Sequence, residues 1–355
     1  MIKHKNKIIH ICSFDKFIKD FIEFNEEHCS EFEHEYFIIG YHAKYELPQS
    51  GSFRVIPPNY KEKAHFLLTL SRKLKTADKV IIHGLFDFKL IFFLYVHKKY
   101  LSKTCWVIWG GDLYIPPAKN IKQKTLALLR KSVVERLYGV VTYIKGDYIN
   151  AKKNWNLKGK YFECIMYPSN IFKDQSCNDV IRNDGLVNIL VGHSANPENF
   201  HDEVFEKLKD LPRSKYADIY VPLSYGDEEN KKRVLQLGKF LFGEKFHPLT
   251  DFMKLSEYLS LLASIDIAVF NHKRQQAMGN TINLIGLGKT VYLRSDVTQW
   301  QLFNELGVTV LDIERFDGQL LTQEQQQKNK QIIKNYFSEE NYISQLNKLY
   351  AAELS

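Results

Sequence analysis

The sequence predicts two consecutive α/β domains, each a parallel sheet wrapped by helices. Three observations predict it. Short apolar runs of strand length alternate with segments of helical period. The alternation stops at a polar, aperiodic stretch, Lys173–Gly185, and then restarts. The chain, at 355 residues, is also too long for one ordinary core. The expected domains are 1–180 and 186–335. A closing helical segment, 336–355, is expected to pack back on the first.

In the first half, Lys7–Cys12 reads as a strand and Lys16–Cys29 as a helix, with Phe17, Phe21 and Phe24 at helical spacing. Strands are expected at Tyr36–Gly40 and Ser52–Ile56, then a helix over Lys61–Leu74. Lys79–His83 is a strand ending at Gly84, Phe86–Tyr100 a helix, and Thr104–Trp109 a strand ending at Gly110-Gly111. In the second half, strands are expected at Leu186–Val191, Asp218–Pro222, Phe246–His247, Asp266–Val269, Thr290–Leu293 and Val308–Leu311. The segments Asn199–Lys209, Glu228–Phe240, Leu255–Ser264 and Asn280–Gly288 read as helices. Ligands of open parallel sheets bind at the carboxyl ends of the strands, so the residues just after each strand matter most. Two such sheets in tandem are expected to hold a cleft between those ends.

The net charge of +8 favours anionic partners, whether phosphorylated small molecules, a membrane surface or nucleic acid. Five cysteines, without a CxxC pair, point away from a disulfide framework or a zinc site and towards a reducing compartment. The apolar run Ile8–Ile11 is too short for a signal-peptide core, and Leu90–Val96 is too short to span a bilayer. Membrane contact is therefore expected to be peripheral. The segment 119–160 carries eleven lysines and arginines against Glu135 and Asp147 only. It reads either as a solvated helix face or as a patch for anionic lipid headgroups or a lipid-linked diphosphate. Nucleic-acid binding ranks last, because no such motif is present.

Several strand-end segments carry chemistry. Asn271–Asn280 combines Lys273 and Arg274 with Gln275, Gln276, Gly279 and Asn280 at the start of a helix, which suits a diphosphate or, equally, a solvated polar loop. Gly192, His193 and Ser194 fit a phosphate or ribose contact, although an ordinary strand-to-helix turn explains them better. Pro222, Ser224 and Tyr225 form a turn whose aromatic ring suits a nucleobase or simple packing. In Trp109-Gly110-Gly111-Asp112-Leu113-Tyr114 a carboxylate stands beside aromatics, as a sugar-binding group, a base or a helix cap. Asp15 is either a base or the cap of the helix after it, and His83 either a base or a packing residue.

These motifs resemble those of glycosyltransferase family 56. Ile108–Tyr114 (IWGGDLY) is similar to that family's IWGADLY, and Ile189–Ser194 (ILVGHS) to its ILVGNS. Val221–Tyr225 (VPLSY) is similar to its VPMGY, and Arg274–Gly279 (RQQAMG) to its RQQGIG. Asp15 and the pair His83-Gly84 also have counterparts, so the resemblance runs along most of the chain. It implies the GT-B fold, two Rossmann-like domains with parallel sheets facing a central cleft, and an inverting mechanism with no required metal or other cofactor. The family's characterised type moves 4-acetamido-4,6-dideoxygalactose from a dTDP donor to a polyprenyl-linked acceptor in making enterobacterial common antigen. The resemblance thus implies a dTDP- or UDP-sugar donor, a lipid-linked glycan acceptor, and a peripheral place on the cytoplasmic face of a bacterial inner membrane. Asn280, Ala277, Met278 and His193 stand where the family has Thr, Gly, Ile and Asn, which leaves the sugar open.

On this reading the donor is held by Gly192, His193, Ser194, Pro222, Ser224, Tyr225, Arg274, Gln275, Gln276, Gly279 and Asn280. The acceptor meets His83, Trp109, Gly111 and Tyr114. Asp15 is the expected base, with Asp112 as the alternative. A nucleotide-sugar epimerase of the same fold and a non-catalytic nucleotide-sugar-binding protein are the competing functions.

Overall fold

The computed structural model describes residues 5–40, 45–174, 185–212 and 214–354. Most of the expected connecting stretch, 175–184 with Cys177, lies outside them. The chain divides into two units, Met1–Ile171 with Glu339–Ser355, and Phe172–Ser338.

Unit one runs β1 (Lys7–Ser13), α1 (Ile18–His28), β2 (Glu33–Ile39), β3 (Phe53–Val55), α2 (Tyr60–Thr76), β4 (Lys79–His83), α3 (Phe88–Val96), β5 (Thr104–Val107), α4 (Ile121–Val134), β6 (Gly139–Val141), α5 (Lys145–Trp155) and β7 (Lys160–Phe162). Its sheet has the order β3-β2-β1-β4-β5-β6-β7, parallel throughout. Helices cover both faces of such a sheet, so its strands read as near-continuous apolar runs. Ile8, Ile9, His10, Ile11 and Cys12 are all fully buried. The helices supply matching stripes: α2 buries Phe66, Leu70 and Leu74 at a spacing of four. Its first turn is capped by Asn59, which accepts from the Lys61 amide at 3.0 Å. The short strands β6 and β7 were not foreseen. Gly139 permits their pairing, because a Cβ there would lie 2.6 Å from the Lys160 carbonyl oxygen.

Unit two runs β8 (Val187–Val191), α6 (His201–Lys209), β9 (Tyr216–Pro222), α7 (Glu228–Phe242), β10 (Phe246–Leu249), α8 (Leu255–Ser264), β11 (Ile267–Phe270), α9 (Met278–Gly286), β12 (Thr290–Leu293), α10 (Thr298–Leu306), β13 (Leu311–Asp312) and α11 (Gln323–Tyr336). Its sheet, β10-β9-β8-β11-β12-β13, is also all parallel. Relative to its own first strand this is the order 3-2-1-4-5-6 of a dinucleotide-binding sheet. In each unit the direction of winding reverses beside the first strand, between β1 and β4 and between β8 and β11. Ligands of such sheets bind outside the carboxyl ends at that reversal. The loops there hold Asp15 and Gly84 in unit one, and Gly192–Asn196 and Asn271–Ala277 in unit two.

The last helix, α12 (Glu339–Ala351), belongs to unit one. It covers the sheet face that carries Lys79, whose ammonium donates to the carbonyls of Leu349, Tyr350 (3.2 Å) and Ala352 (2.8 Å). Burial pulls that ammonium down to about 8. Tyr342 donates to the Met166 carbonyl at 2.7 Å and Tyr350 to Asn25 Oδ1 at 2.9 Å, so the helix's hydroxyls are satisfied inside. Cys12, Cys29, Cys105 and Cys164 are buried free thiols. Among the described residues no helix is long and apolar enough to cross a membrane.

Candidate active site

In unit two, three loops converge at the carboxyl edge of the sheet. After β8 the chain turns at Gly192, with φ of +68°. A Cβ there would meet Asn199 Oδ1 at 2.8 Å and His201 Nε2 at 2.9 Å, so only glycine fits. Asn199, fully buried, organises the loop. Its Oδ1 accepts from the His193 amide at 2.9 Å and lies 2.9 Å from His272 Nε2. His193 Nδ1 is 3.0 Å from the same His272 nitrogen, which ties the loop after β8 to the loop after β11. Tyr225, after β9, stands edge-on to His193 at 6.1 Å between ring centroids. It stacks in parallel on Phe252, and both rings are exposed, 45% and 68%.

The loop after β11 holds the charge. The Glu198 carboxylate accepts from the Arg274 guanidinium and, at 2.6 Å, from Gln276 Nε2. A guanidinium has five N–H donors, of which Glu198 and the Gln275 carbonyl engage two, so Arg274 has donors left for a second anion. Helix α9 starts directly after it, capped by Ala277 in the left-handed region with φ of +56°. The first-turn amides of Met278, Gly279 and Asn280 have no upstream carbonyl to bond. His272, 1% exposed, is held neutral by burial and then by His193 beside it. Its Nδ1, the Asn271 Oδ1 and both ring nitrogens of His201 are buried without hydrogen-bond partners. Burial pushes His201 down to about 3. Loop charge therefore rests on Lys273 and Arg274, backed by polar atoms that still lack partners. Asn280 instead donates to the Tyr258 hydroxyl at 2.8 Å, and Pro222 is buried at the end of its strand.

In unit one the candidates divide. Asp15 is half-buried and caps no helix: α1 begins three residues later, at Ile18, with Phe17 in the cap position. Its Oδ1 accepts only the adjacent Lys16 amide, at 2.6 Å, among the described hydrogen bonds. Asp112 is the opposite case. It is fully buried and accepts from the amides of Leu85 (2.8 Å) and Trp109 (2.9 Å) and from Trp106 Nε1 (2.7 Å). Burial raises its pKa, and these donors offset that only in part. Asp112 thus braces the loops after β4 and β5, and the expectation of a base there is corrected.

His83, expected at the acceptor, is fully buried, and both of its ring nitrogens are bonded inside the core. It is a link in an interior chain. Trp109 Nε1 donates to the Tyr167 hydroxyl at 2.7 Å, and that hydroxyl lies 2.9 Å from His83 Nδ1. His83 Nε2 is 3.1 Å from His10 Nδ1, and His10 Nε2 is 3.0 Å from His34 Nδ1. One proton order satisfies every link, Tyr167 donating to His83, His83 to His10 and His10 to His34, and it leaves the buried His34 Nε2–H without an acceptor. Burial holds all three imidazoles neutral, His34 down to about 4 and His83 to about 3. Tyr114 is likewise committed, donating to Asp147 Oδ1 at 2.6 Å and accepting from Asn150 at 3.0 Å. Trp109 stays part-exposed and Gly111 exposed, beside Phe86.

The model of the 4-alpha-L-fucosyltransferase family, glycosyl transferase group 56, matches residues 9–353. The chain belongs to that family. Solved structures agree on the fold. A glycosyltransferase from Rickettsia africae shares 15% identity over 98% of both chains, with a TM-score of 0.63. WaaG, a glycosyltransferase involved in lipopolysaccharide biosynthesis, shares 12% over 98% of this chain and 96% of its own, with a TM-score of 0.56. Anabaena HepE in complex with UDP shares 11% over 97% and 98%, with a TM-score of 0.64. The protein is a glycosyltransferase with the GT-B fold of two Rossmann-like units.

Sequence reasoning about this group 56 transferase missed Glu198, Asn199 and Phe252, and gave His272, inside the Asn271–Asn280 loop, no role of its own. Glu198 was the one signal within reach, a lone carboxylate in the loop after the first strand of unit two. A cavity of about 410 Å³ opens in unit one beside Arg54, Lys61 and His65, and one of about 480 Å³ in unit two beside Trp300 and Arg315. Neither is lined by the loop residues above.

Proposed function

We propose that this transferase moves a deoxy-aminosugar from a dTDP- or UDP-sugar to a polyprenyl-diphosphate-linked glycan, inverting the anomeric centre, in O-antigen or common-antigen assembly. The observation that carries the reading is the convergence in unit two. The Tyr225–Phe252 pair offers a platform for a base, and Arg274, Gln276 and the first turn of α9 offer donors for a diphosphate about one loop away. Asp15 is the base. It takes the proton as the acceptor hydroxyl oxygen bonds to the anomeric carbon. The bond from that carbon to the diphosphate oxygen breaks, and Arg274, Gln275, Ser194 and the amides near Gly279 stabilise the charge on the leaving group. On this proposal protein donors do the work a cation does elsewhere, and transfer survives dialysis against EDTA. The enzyme works peripherally at the cytoplasmic face of the inner membrane, where such acceptors are presented.

The deciding experiment pairs transfer with binding. Product is followed by mass spectrometry for dTDP- and UDP-sugars with a polyprenyl-diphosphate glycan, and nucleotide binding is followed by thermal shift. Asp15→Asn is expected to lower transfer about a hundredfold or more while dTDP or UDP still stabilises the protein. Near-normal transfer by this variant rejects Asp15. Interconversion of the donor sugar with no acceptor present favours an epimerase instead, and nucleotide binding with no turnover favours a binding protein.

A further inference from the structure

Helix α3 is apolar on both sides, yet only one side is covered. It buries Leu90, Ile91 and Leu94 and leaves Phe88, Phe92, Tyr95 and Val96 exposed at 52%, 51%, 38% and 61%. Those four lie on one helix face, and the Phe88 and Phe92 rings stack at 6.4 Å. Helix α4 packs against α3 and adds Ile121 and Leu128, 83% and 69% exposed. Exposed aromatic and aliphatic side chains gathered on two packed helices in this way mark an interaction site.

The charge around it says what the partner is. From Phe88 to Val134 the chain carries eight lysines and one arginine. The single carboxylate inside that stretch, Asp112, is fully buried; Asp87 caps the start of α3, and Glu135, at the end of α4, is paired with Arg136, so the face stays strongly basic. Lys122, Lys124 and Lys131 are exposed on α4 among the apolar side chains. A second copy of this face would set like charges against each other. An oligonucleotide would engage the lysines but leave Val96, Ile121 and Leu128 in water. An anionic bilayer satisfies both halves, because its headgroups meet ammonium groups and its interface takes aromatic rings.

We propose that the α3–α4 face seats unit one on an anionic bilayer, with Phe88 and Phe92 entering the interface and the α4 lysines on the headgroups. The surface deepens the reading of a lipid-borne acceptor, on which its purpose rests. Helix α3 follows the loop after β4, and α4 follows the loop that carries Trp109, Gly111 and Asp112. Docking through these helices brings those two loops to the membrane surface.

The test is sedimentation of the full chain with vesicles, either equimolar phosphatidylglycerol and phosphatidylcholine or phosphatidylcholine alone. Binding is expected to the anionic vesicles, weakened by salt, and little to the neutral ones. F88S/F92S and K122E/K124E are each expected to lower the partition coefficient about tenfold. Phe92→Trp should show blue-shifted emission on the anionic vesicles. Unchanged melting temperature and unchanged dTDP or UDP stabilisation show that the variants fold. Wild-type partitioning by folded F88S/F92S overturns the proposal. So does a dimer in analytical ultracentrifugation that F88S/F92S abolishes while vesicles are not bound, or oligonucleotide binding without vesicle binding. Vesicle binding without any transfer rejects the proposed function and leaves the surface standing. Transfer to a soluble acceptor without vesicle binding does the reverse.

Discussion

The two units share one strand order and use their histidines in opposite ways. In unit one, His34, His10 and His83 point inward from three neighbouring strands and bond to one another and to Tyr167. The chain works as part of the core, with one ring nitrogen, His34 Nε2 at its far end, left without a partner. In unit two, His193 and His272 sit on loops at the carboxyl edge and His201 at the start of the helix behind them, with several ring nitrogens unpaired. Buried polar atoms left without partners cost free energy, and unit two gathers those of Asn271, His272 and His201 beside one edge of its sheet. The same residue type is thus a structural element on a strand and a ligand-ready element on a loop. What separates the two is how far the hydrogen bonds close: one ring nitrogen of the three histidines is unpaired in unit one, against three, on His201 and His272, in unit two.

The largest expected effect that tests this comparison is acid sensitivity. All five depressed imidazoles, three in unit one and two in unit two, are neutral when folded and held below their ordinary value. Above pH about 6.5 they are neutral folded or unfolded and contribute nothing to the pH dependence. Below it the unfolded chain takes up protons that the folded chain refuses, so stability falls as pH drops towards the folded values of about 4 and 3 for His34 and His83. One pH unit below the unfolded value costs roughly 1.4 kcal/mol per histidine, hence about 4 kcal/mol in unit one and about 3 in unit two. Hydrogen exchange resolved by unit between pH 7 and 5.5 measures it. Equal or larger acid loss in unit two breaks the contrast.

Next in size is Asp112→Ala. It strips three donors of one buried acceptor and should destabilise unit one by about 3 kcal/mol in denaturant melts, without changing nucleotide affinity. A folded, stable variant that has lost only turnover restores Asp112 as a base. Arg274→Ala is the counterpart in unit two. It should leave melting nearly unchanged and weaken dTDP or UDP binding about tenfold to a hundredfold, read by calorimetry. Unaltered affinity removes the diphosphate clamp. The smallest effect belongs to Ala277→Gly. A non-glycine residue with φ of +56° is strained, so glycine there should stabilise unit two by about 0.5–1 kcal/mol, seen as a raised melting temperature.

The fold was legible because its signals are local. Apolar runs such as Ile8–Ile11 and strand-end glycines such as Gly84, Gly110 and Gly192, all at positive φ, mark each crossover. Strands β6 and β7, three residues each, carry too little pattern to show. Site roles were less legible, because closure of hydrogen bonds is a long-range property. His10 meets His83 across 73 residues, and Glu198 meets Arg274 across 76. A strand-end histidine and a loop aspartate look alike in sequence whether their partners are present or absent. Both Asp15 and Asp112 read as a base or a helix cap, and burial with three donors on Asp112 separates them.

Lys79 carries a consequence for how the protein is made. Its buried ammonium is satisfied by carbonyls at the end of α12, which is encoded after the whole of unit two. On the ribosome, the first sheet therefore emerges with a lysine on an uncovered face. That face waits for residues 172–338 to be synthesised, on the order of ten to thirty seconds at usual elongation rates. Unit two, being continuous, can complete first, so the order of folding runs against the order of synthesis. Truncation before α12 removes the lid from unit one rather than trimming a tail.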